Sequence, residues 1–313
     1  MKKVTIVGGA GNVGATCANV LAHDNIVQEI VMLDLNGNMA KGKALDSWQQ
    51  APIGEYSSRL IGTADYADTA NSDIVVITAG LPRKPGMSRD DLIAINAKIV
   101  TEVVGNILKY SPNPIIIVVS NPLDVMTYTA LKASKLPAHR VMGMAGVLDT
   151  ARYRAFLAEA LQVSPRDIQA LLMGGHGDTM VPLPRYTTVA GIPVTELLDA
   201  DTLDAIVKRT AGGGGELVQL MGTSAWYAPG AAAAQMVSAI VRNENRVFPC
   251  CAFLDGEYGI KDLCVGVPVK LGQNGIEKIY QVQLTADEQA LLDKSAAAVR
   301  EIVEVCKGLG YAQ

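Results

Sequence analysis

Pairable cysteine, excess positive charge and long apolar runs are all scarce in this chain, and each shortage removes a class of protein. The five cysteines (Cys17, Cys250, Cys251, Cys264 and Cys306) are odd in number, include one adjacent pair and never fall in a C-x-x-C spacing. That pattern argues for a reducing compartment. A formal net charge of −4 leaves no basic footprint, so no nucleic-acid partner is expected, and affinity for an anionic ligand has to come from locally clustered arginines. No apolar run approaches the roughly 20 residues needed to span a bilayer. Met1-Lys2-Lys3 leads straight into a strand pattern that glycines soon interrupt, unlike a signal peptide. No membrane partner and a cytoplasmic location are therefore expected. Internal repeats and a Pro/Ser linker are missing too. What remains is a chain of 313 residues, 49% hydrophobic and 19% charged, the composition of a soluble globular protein long enough for two domains that share a large core.

The strongest positive signal is Val4 to Gly14, VTIVGGAGNVG. A short apolar strand runs into Gly9-Ala10-Gly11-Asn12-Val13-Gly14, and an acid, Asp34, follows twenty residues after Gly14 at the end of a second apolar strand. Each piece has a physical task. Gly9 permits the tight turn out of the strand, Gly11 lets bare backbone approach a pyrophosphate, and Gly14 lets the next helix pack close to the sheet. The pyrophosphate then rests on the positive N-terminus of that helix. A carboxylate at Asp34 accepts hydrogen bonds from a ribose diol and repels a 2′-phosphate, so NAD is expected rather than NADP.

Along the first half, apolar runs alternate with helical patterns at 4–7, 30–33, 59–62, 73–78, 115–119 and 140–142, which predicts a parallel sheet built from crossover units. A segment rich in proline, glycine and charge, Leu81 to Arg89, leads into a helix over 90–109 with Leu92, Ile95, Ile99, Val103 and Ile107 at helical spacing. Past residue 146 the pattern becomes mixed: strands near 168–173 and 181–189, helices near 201–222 and 225–242, a strand pair at 247–254 and 263–271, and a closing helix over 286–306. The fold class is thus α/β: a Rossmann doubly wound parallel sheet over 1–146, followed by a mixed α+β substrate domain over 147–313. Gly37 to Ala44 nearly spells a phosphate-binding loop, but Ala44 stands where a Ser or Thr would hold magnesium, so the start of a surface helix is expected. Gly212 to Gly215 reads as a flexible, close-packed entrance to a helix.

Only three histidines are present. His23 and His139 occupy ordinary positions, at a helix end and beside a strand start. His176, in Gly174-Gly175-His176-Gly177-Asp178, has glycines that leave its ring open and no helical or strand face to explain it. A catalytic histidine fits that setting. In Gly146 to Arg152, Asp149 and Arg152 share one helical face. They form either a surface ion pair or a carboxylate that orients an imidazole beside a guanidinium fork that grips a substrate carboxylate.

These segments together resemble the lactate/malate dehydrogenase superfamily, and most closely its lactate-dehydrogenase-like malate enzymes. The resemblance rests on GAGNVG with Asp34, RKPGMSR (83–89), VSNP (119–122), GMAGVLDTAR (143–152) and GGHGDTMVP (174–182), in the expected order along the whole chain. It implies that His176 accepts the substrate hydroxyl proton, that Asp149 orients the imidazole, and that Arg152 binds the C1 carboxylate. By the same resemblance Arg89 polarises the C2 oxygen and Asn121, before a peptide bond often held cis, lies near that oxygen and the nicotinamide. Ser224, or Thr223 if the alignment slips by one, lines the substrate pocket. Thr78, Ala79, Gly80, Asn96 and Val119 join Gly9, Gly11, Asn12, Val13, Gly14 and Asp34 at the cofactor. The position of Arg83 is commonly glutamine in lactate enzymes and arginine in malate enzymes, so a dicarboxylate is implied, with L-lactate oxidation as the alternative. No metal is required, and a homotetramer is favoured over a dimer, with the uncharged helical surface around 231–240 compatible with an interface. A hydrolase would need a nucleophile, and no G-x-S-x-G elbow exists. A non-catalytic dinucleotide sensor would have no use for His176, Asp149, Arg152 and Arg89 together.

Overall fold

A computed structural model describes residues 2–81 and 88–311. Positions 82–87, Arg83 among them, lie outside the described residues, as does the side chain of Arg89.

Six strands in the first half, β1 (Lys3–Val7), β2 (Glu29–Leu33), β3 (Arg59–Thr63), β4 (Ile74–Ile77), β5 (Ile115–Val118) and β6 (Val141–Gly143), match the six apolar runs of the sequence. They pair in the order β3-β2-β1-β4-β5-β6, all parallel. Every residue of β4 and β5 is buried, because helices cover both faces of such a sheet and leave no solvent side for polar alternation. The helices of this half are α1 (Asn12–Asp24), α2 (Gly37–Gln49), α3 (Ala51–Gly54), α4 (Arg89–Tyr110) and α5 (Leu123–Ser134). Strand β1 pairs with β2 on one side and β4 on the other, Val7 standing opposite both Leu33 and Ile77. Strand order reverses there, and in such sheets a ligand crevice opens beyond the carboxyl ends of the strands. Asp34 follows β2, Thr78 follows β4 and Val119 follows β5, so three sequence-distant groups arrive at one edge.

The second half contains α6 (Ala145–Leu161), β7 (Ile168–Gln169), β8 (Leu172–Gly174), β9 (Met180–Pro182), β10 (Thr188–Val189) and β11 (Ile192–Pro193). It continues through α7 (Val194–Leu197), α8 (Ala200–Met221), α9 (Tyr227–Val241), β12 (Arg246–Asp255), β13 (Lys261–Gly272), β14 (Gly275–Ile279) and α10 (Ala286–Gly308). Strand β12 joins the edge of β6 antiparallel, so the sheet runs on through β13, β8 and β9, and β14, paired to β13, makes the eleventh strand. A single hydrophobic core joins the halves, holding Ile6, Ile30 and Ile116 together with Val237, Val265 and Val303. A smaller core under α6 and α8 contains Tyr153, Ile168 and Ile206. All five cysteines are free and buried: Cys17 in α1, Cys250, Cys251 and Cys264 in the β12–β13 pair, and Cys306 in α10.

Two expectations need correction. Gly212 to Gly215 lie in the middle of α8, not at its entrance; the helix starts far earlier, where Asp199 caps Thr202 N–H at 2.9 Å. Packing overrides glycine's poor helix propensity here, since a Cβ on Gly213 would come within 3.2 Å of Arg152 Cδ. The stretch 231–240 is mostly buried within the chain, because α9 lies against α1 so closely that a Cβ on Gly230 would meet Thr16 Cβ at 2.7 Å. It is therefore not a free face. Strand β14 was not anticipated; it folds back on β13 through Gly272 to Gly275.

Candidate active site

In the first glycine turn the left-handed residue is Gly8, at φ 81°, and not Gly9 as the sequence pattern predicts; Gly9 is required by packing instead. A Cβ on Gly9 would come 2.7 Å from Met32 Cα, and one on Gly14 would strike the Gly8 carbonyl, so both positions exclude side chains for reasons of packing. Gly11 caps α1 with no side-chain hydrogen bond, which leaves the first N–H groups of that helix for a ligand. Gly11, Asp34, Thr78, Ala79 and Gly80 line a crevice of about 450 Å³. The Asp34 carboxylate is held by Ala10 N–H and Asn36 N–H, each at 3.0 Å, and stays partly exposed at the crevice wall. Next to it, sharing Thr78, Gly80 and Leu81, opens a cleft of about 830 Å³. Val13, Asn96, Val119, Asn121, Arg152, His176 and Ser224 all face that cleft; Thr223 does not line it. The two spaces form one path, from the Asp34 carboxylate to His176, whose shape and donor set fit a dinucleotide.

His176 stands on the turn after β8, and its Nδ1 is 2.9 Å from Asp149 Oδ2. Asp149 lies in the second turn of α6, is 2% exposed, and is also 3.6 Å from the Arg152 guanidinium one turn further on. The sequence-predicted pairing thus exists, and Asp149 serves both neighbours. Burial disfavours the imidazolium, but the charge and hydrogen bond of Asp149, then the charge of Asp124, outweigh it and hold His176 above the usual histidine value against the opposing Arg152. Burial pulls the Arg152 guanidinium downward while Asp149 opposes this, and a guanidinium stays charged regardless. Its Nε is buried with no hydrogen-bond partner among the described residues, and the side chain lines the cleft, which sets a guanidinium beside any carboxylate bound there.

Asn121 precedes Pro122 through a cis peptide bond. Asn96, on α4, fastens the local backbone: its amide oxygen accepts from Leu81 N–H at 2.8 Å, and its NH₂ donates to the carbonyls of Leu81 and Asn121 at 3.1 and 2.7 Å. Those bonds occupy both its donors, so Asn96 ties together the Leu81 and Asn121 segments that line the cleft. Asn12 is exposed beside Lys43, 3.5 Å away. Sequence reading missed the apolar floor, Met144, Ala145 and Leu148, together with Gly214, Gly215 and Gln219 of α8. It also missed Asp124, whose Oδ2 accepts the backbone N–H of His176 at 3.0 Å. The signal available was an acid in the apolar first turn of α5.

A model of the lactate/malate dehydrogenase NAD binding domain matches residues 2–143, and one of the lactate/malate dehydrogenase alpha/beta C-terminal domain matches residues 146–308. The malate dehydrogenase of Cytophaga hutchinsonii is 64% identical over 98% of this chain and 98% of its own. A solved structure of malate dehydrogenase from Salinibacter ruber has a TM-score of 0.95 at 56% identity, covering 98% of both chains. The lactate dehydrogenase from Cryptosporidium parvum, solved with lactic acid and nicotinamide adenine dinucleotide, has a TM-score of 0.93 at 38% identity over 98% of each chain. With both halves matched, the fold shared and the histidine, aspartate and arginine gathered beside a dinucleotide crevice, the chain belongs to the lactate/malate dehydrogenase family.

Proposed function

We propose that the chain catalyses the NAD-dependent, reversible oxidation of (S)-malate to oxaloacetate. The observation that carries this reading is the His176–Asp149 pair with Arg152, in a cleft continuous with the crevice of Asp34. When bound, the nicotinamide supplies the acceptor for the hydride that leaves C2 of the substrate. Asp149 engages Nδ1 of His176, which leaves Nε2 to accept the hydroxyl proton, and the same carboxylate stabilises the imidazolium that forms. Arg152 grips the C1 carboxylate through its fork, while Asn121 and Ser224, which line the same cleft, contact the substrate. By family resemblance, Arg89 polarises the C2 oxygen and Arg83 takes the distal carboxylate.

Fold alone does not separate malate from lactate, since the two solved relatives superpose almost equally well. The 64% identity to a malate dehydrogenase and the arginine at position 83 favour the dicarboxylate. Absorbance at the NADH band, with oxaloacetate and pyruvate as competing substrates and NADPH as the competing cofactor, tests the whole reading. Rapid NADH oxidation with oxaloacetate alone is expected; preference for pyruvate would transfer the chain to the lactate class. No helix among the described residues is long and apolar enough to cross a membrane, and the free, buried cysteines suit a reducing cytoplasm. A homotetramer is the assembly the family resemblance favours, and sedimentation equilibrium distinguishes it from a dimer.

A further inference from the structure

Behind His176 stands a second buried carboxylate that the chemistry above leaves unused. Asp124 lies in the first turn of α5, three residues after Asn121. Its Oδ2 accepts the backbone N–H of His176 at 3.0 Å, and its buried Oδ1 has no hydrogen-bond partner among the described residues. The bond spans the two halves of the molecule, from the parallel sheet's α5 to the turn after β8. A neutral acceptor would also satisfy that N–H, so a carboxylate is a costly choice in a desolvated place that already holds Asp149. The choice makes sense where a positive charge comes and goes.

We propose that Asp124 is a positioning residue: it clamps the His176 turn to the Asn121 turn, so that both side chains address one substrate oxygen, and it acts as a second counter-charge to the imidazolium. This rests on the reading of His176 as the proton acceptor. The groups that face the pair come from every neighbouring element. Asp149 and Arg152 project from α6, and the Cys251 thiol from β12 faces Asp124 with Cys264 of β13 behind it. Burial raises the Asp124 carboxyl above the ordinary aspartate value and Asp149 adds to this, against the opposing His176 N–H, Cys251 thiol and charge on His176. The coupling is mutual: a protonated imidazole favours the Asp124 anion, and the anion favours the protonated imidazole.

The chain's three histidines make the test direct. In the full-length protein with isotopically labelled histidine, the NMR titration of His176 is assigned by loss of its signal in His176→Asn. Asp124→Asn keeps an acceptor of equal size and removes the charge, so the His176 midpoint falls while His23 and His139 stay in place. The pH profile of malate oxidation shifts downward with it. Asp124→Ala removes the clamp as well, and kcat falls by about 10²-fold with NADH affinity unchanged, the loss that a misplacement of about 1 Å can cause. Should the alanine variant fail to fold, Asp124→Asn decides alone. An unmoved His176 midpoint and an unmoved profile in Asp124→Asn would reduce Asp124 to a structural acceptor and overturn the proposal. The NMR midpoint needs no turnover, so absence of malate activity in the unaltered chain would strike the proposed function and leave the Asp124–His176 coupling measurable.

Discussion

His176 draws its character from its setting, and its raised value fixes a sign. Malate oxidation needs the neutral ring, so its kcat/KM should rise with pH through a midpoint above the ordinary histidine value; oxaloacetate reduction needs the imidazolium and should fall through the same midpoint. Parallel pH profiles in the two directions would contradict that. Asp149→Asn, which keeps the shape of the partner and loses its charge, should lower kcat by a factor on the order of 10²–10⁴, the upper figure being the loss in a serine protease's His–Asp pair. NADH binding, followed by fluorescence, should persist. Arg83→Gln should cost oxaloacetate about 10- to 150-fold in kcat/KM, the value of a charge-assisted contact of roughly 1.5–3 kcal/mol, while pyruvate gains. An unchanged substrate ratio would make Arg83 a solvated charge. His176 was legible because glycines on both sides gave it no structural excuse, and Asp149 with Arg152 because helical spacing puts them together. Asp124 was not, because an acid in the first turn of a helix has an ordinary explanation in the helix dipole, and only the fold brings it beneath His176.

At the scale of elements, α8 offers the sharpest contrast. Gly212 is exposed and a Cβ there meets nothing within 4 Å, whereas one on Gly213 presses on Arg152. The same substitution should therefore act in opposite ways one residue apart. Gly212→Ala should stabilise the helix by about 0.5–1 kcal/mol and raise Tm by ~1–3 °C. Gly213→Ala should displace the guanidinium and reduce kcat/KM for oxaloacetate roughly tenfold, mainly through KM. Equal effects at the two positions would refute the account of why this helix carries glycines. The parallel strands were readable because burial on both faces imposes unbroken apolar runs such as Ile115 to Val118. Short strands were less so: Ile168 to Met173 reads as one run, but the strand breaks at Ala170 and Leu171 into β7 and β8, which belong to different sheets. Strand β14 rests on pairing with β13 that no local periodicity announces.

For the molecule as a whole, the decisive fact is that one core and one sheet serve both halves. The sequence boundary at residue 146 falls in the first turn of α6, and Gly146 lies so close to β12 that a Cβ there would meet Pro249 Cβ at 2.9 Å. A fragment of residues 1–146 would lose α9 from the face of α1 and β12 from the edge of β6. It should expose an apolar patch and an open strand edge, and self-associate in sedimentation and dye-binding experiments even though it retains every glycine of the dinucleotide turn. A monomeric, NADH-binding fragment would show the halves to be independent. Composition and length predicted a shared core; that the sheet itself crosses the junction depends on β12 meeting β6 at Cys251 and Gly143, a contact between residues more than a hundred positions apart.

The buried thiols carry a consequence of another kind. Burial pushes Cys17 up to about 12 and leaves no sulfur within reach of a water-borne reagent while the fold is closed. Each thiol then reacts only in the moments when its own segment opens, so the rate of modification under native conditions counts those moments. Cys17 keeps time for α1, the β12–β13 trio for the centre of the sheet and Cys306 for the closing helix, so the protein carries three built-in clocks of its local opening, none of which needs an engineered label.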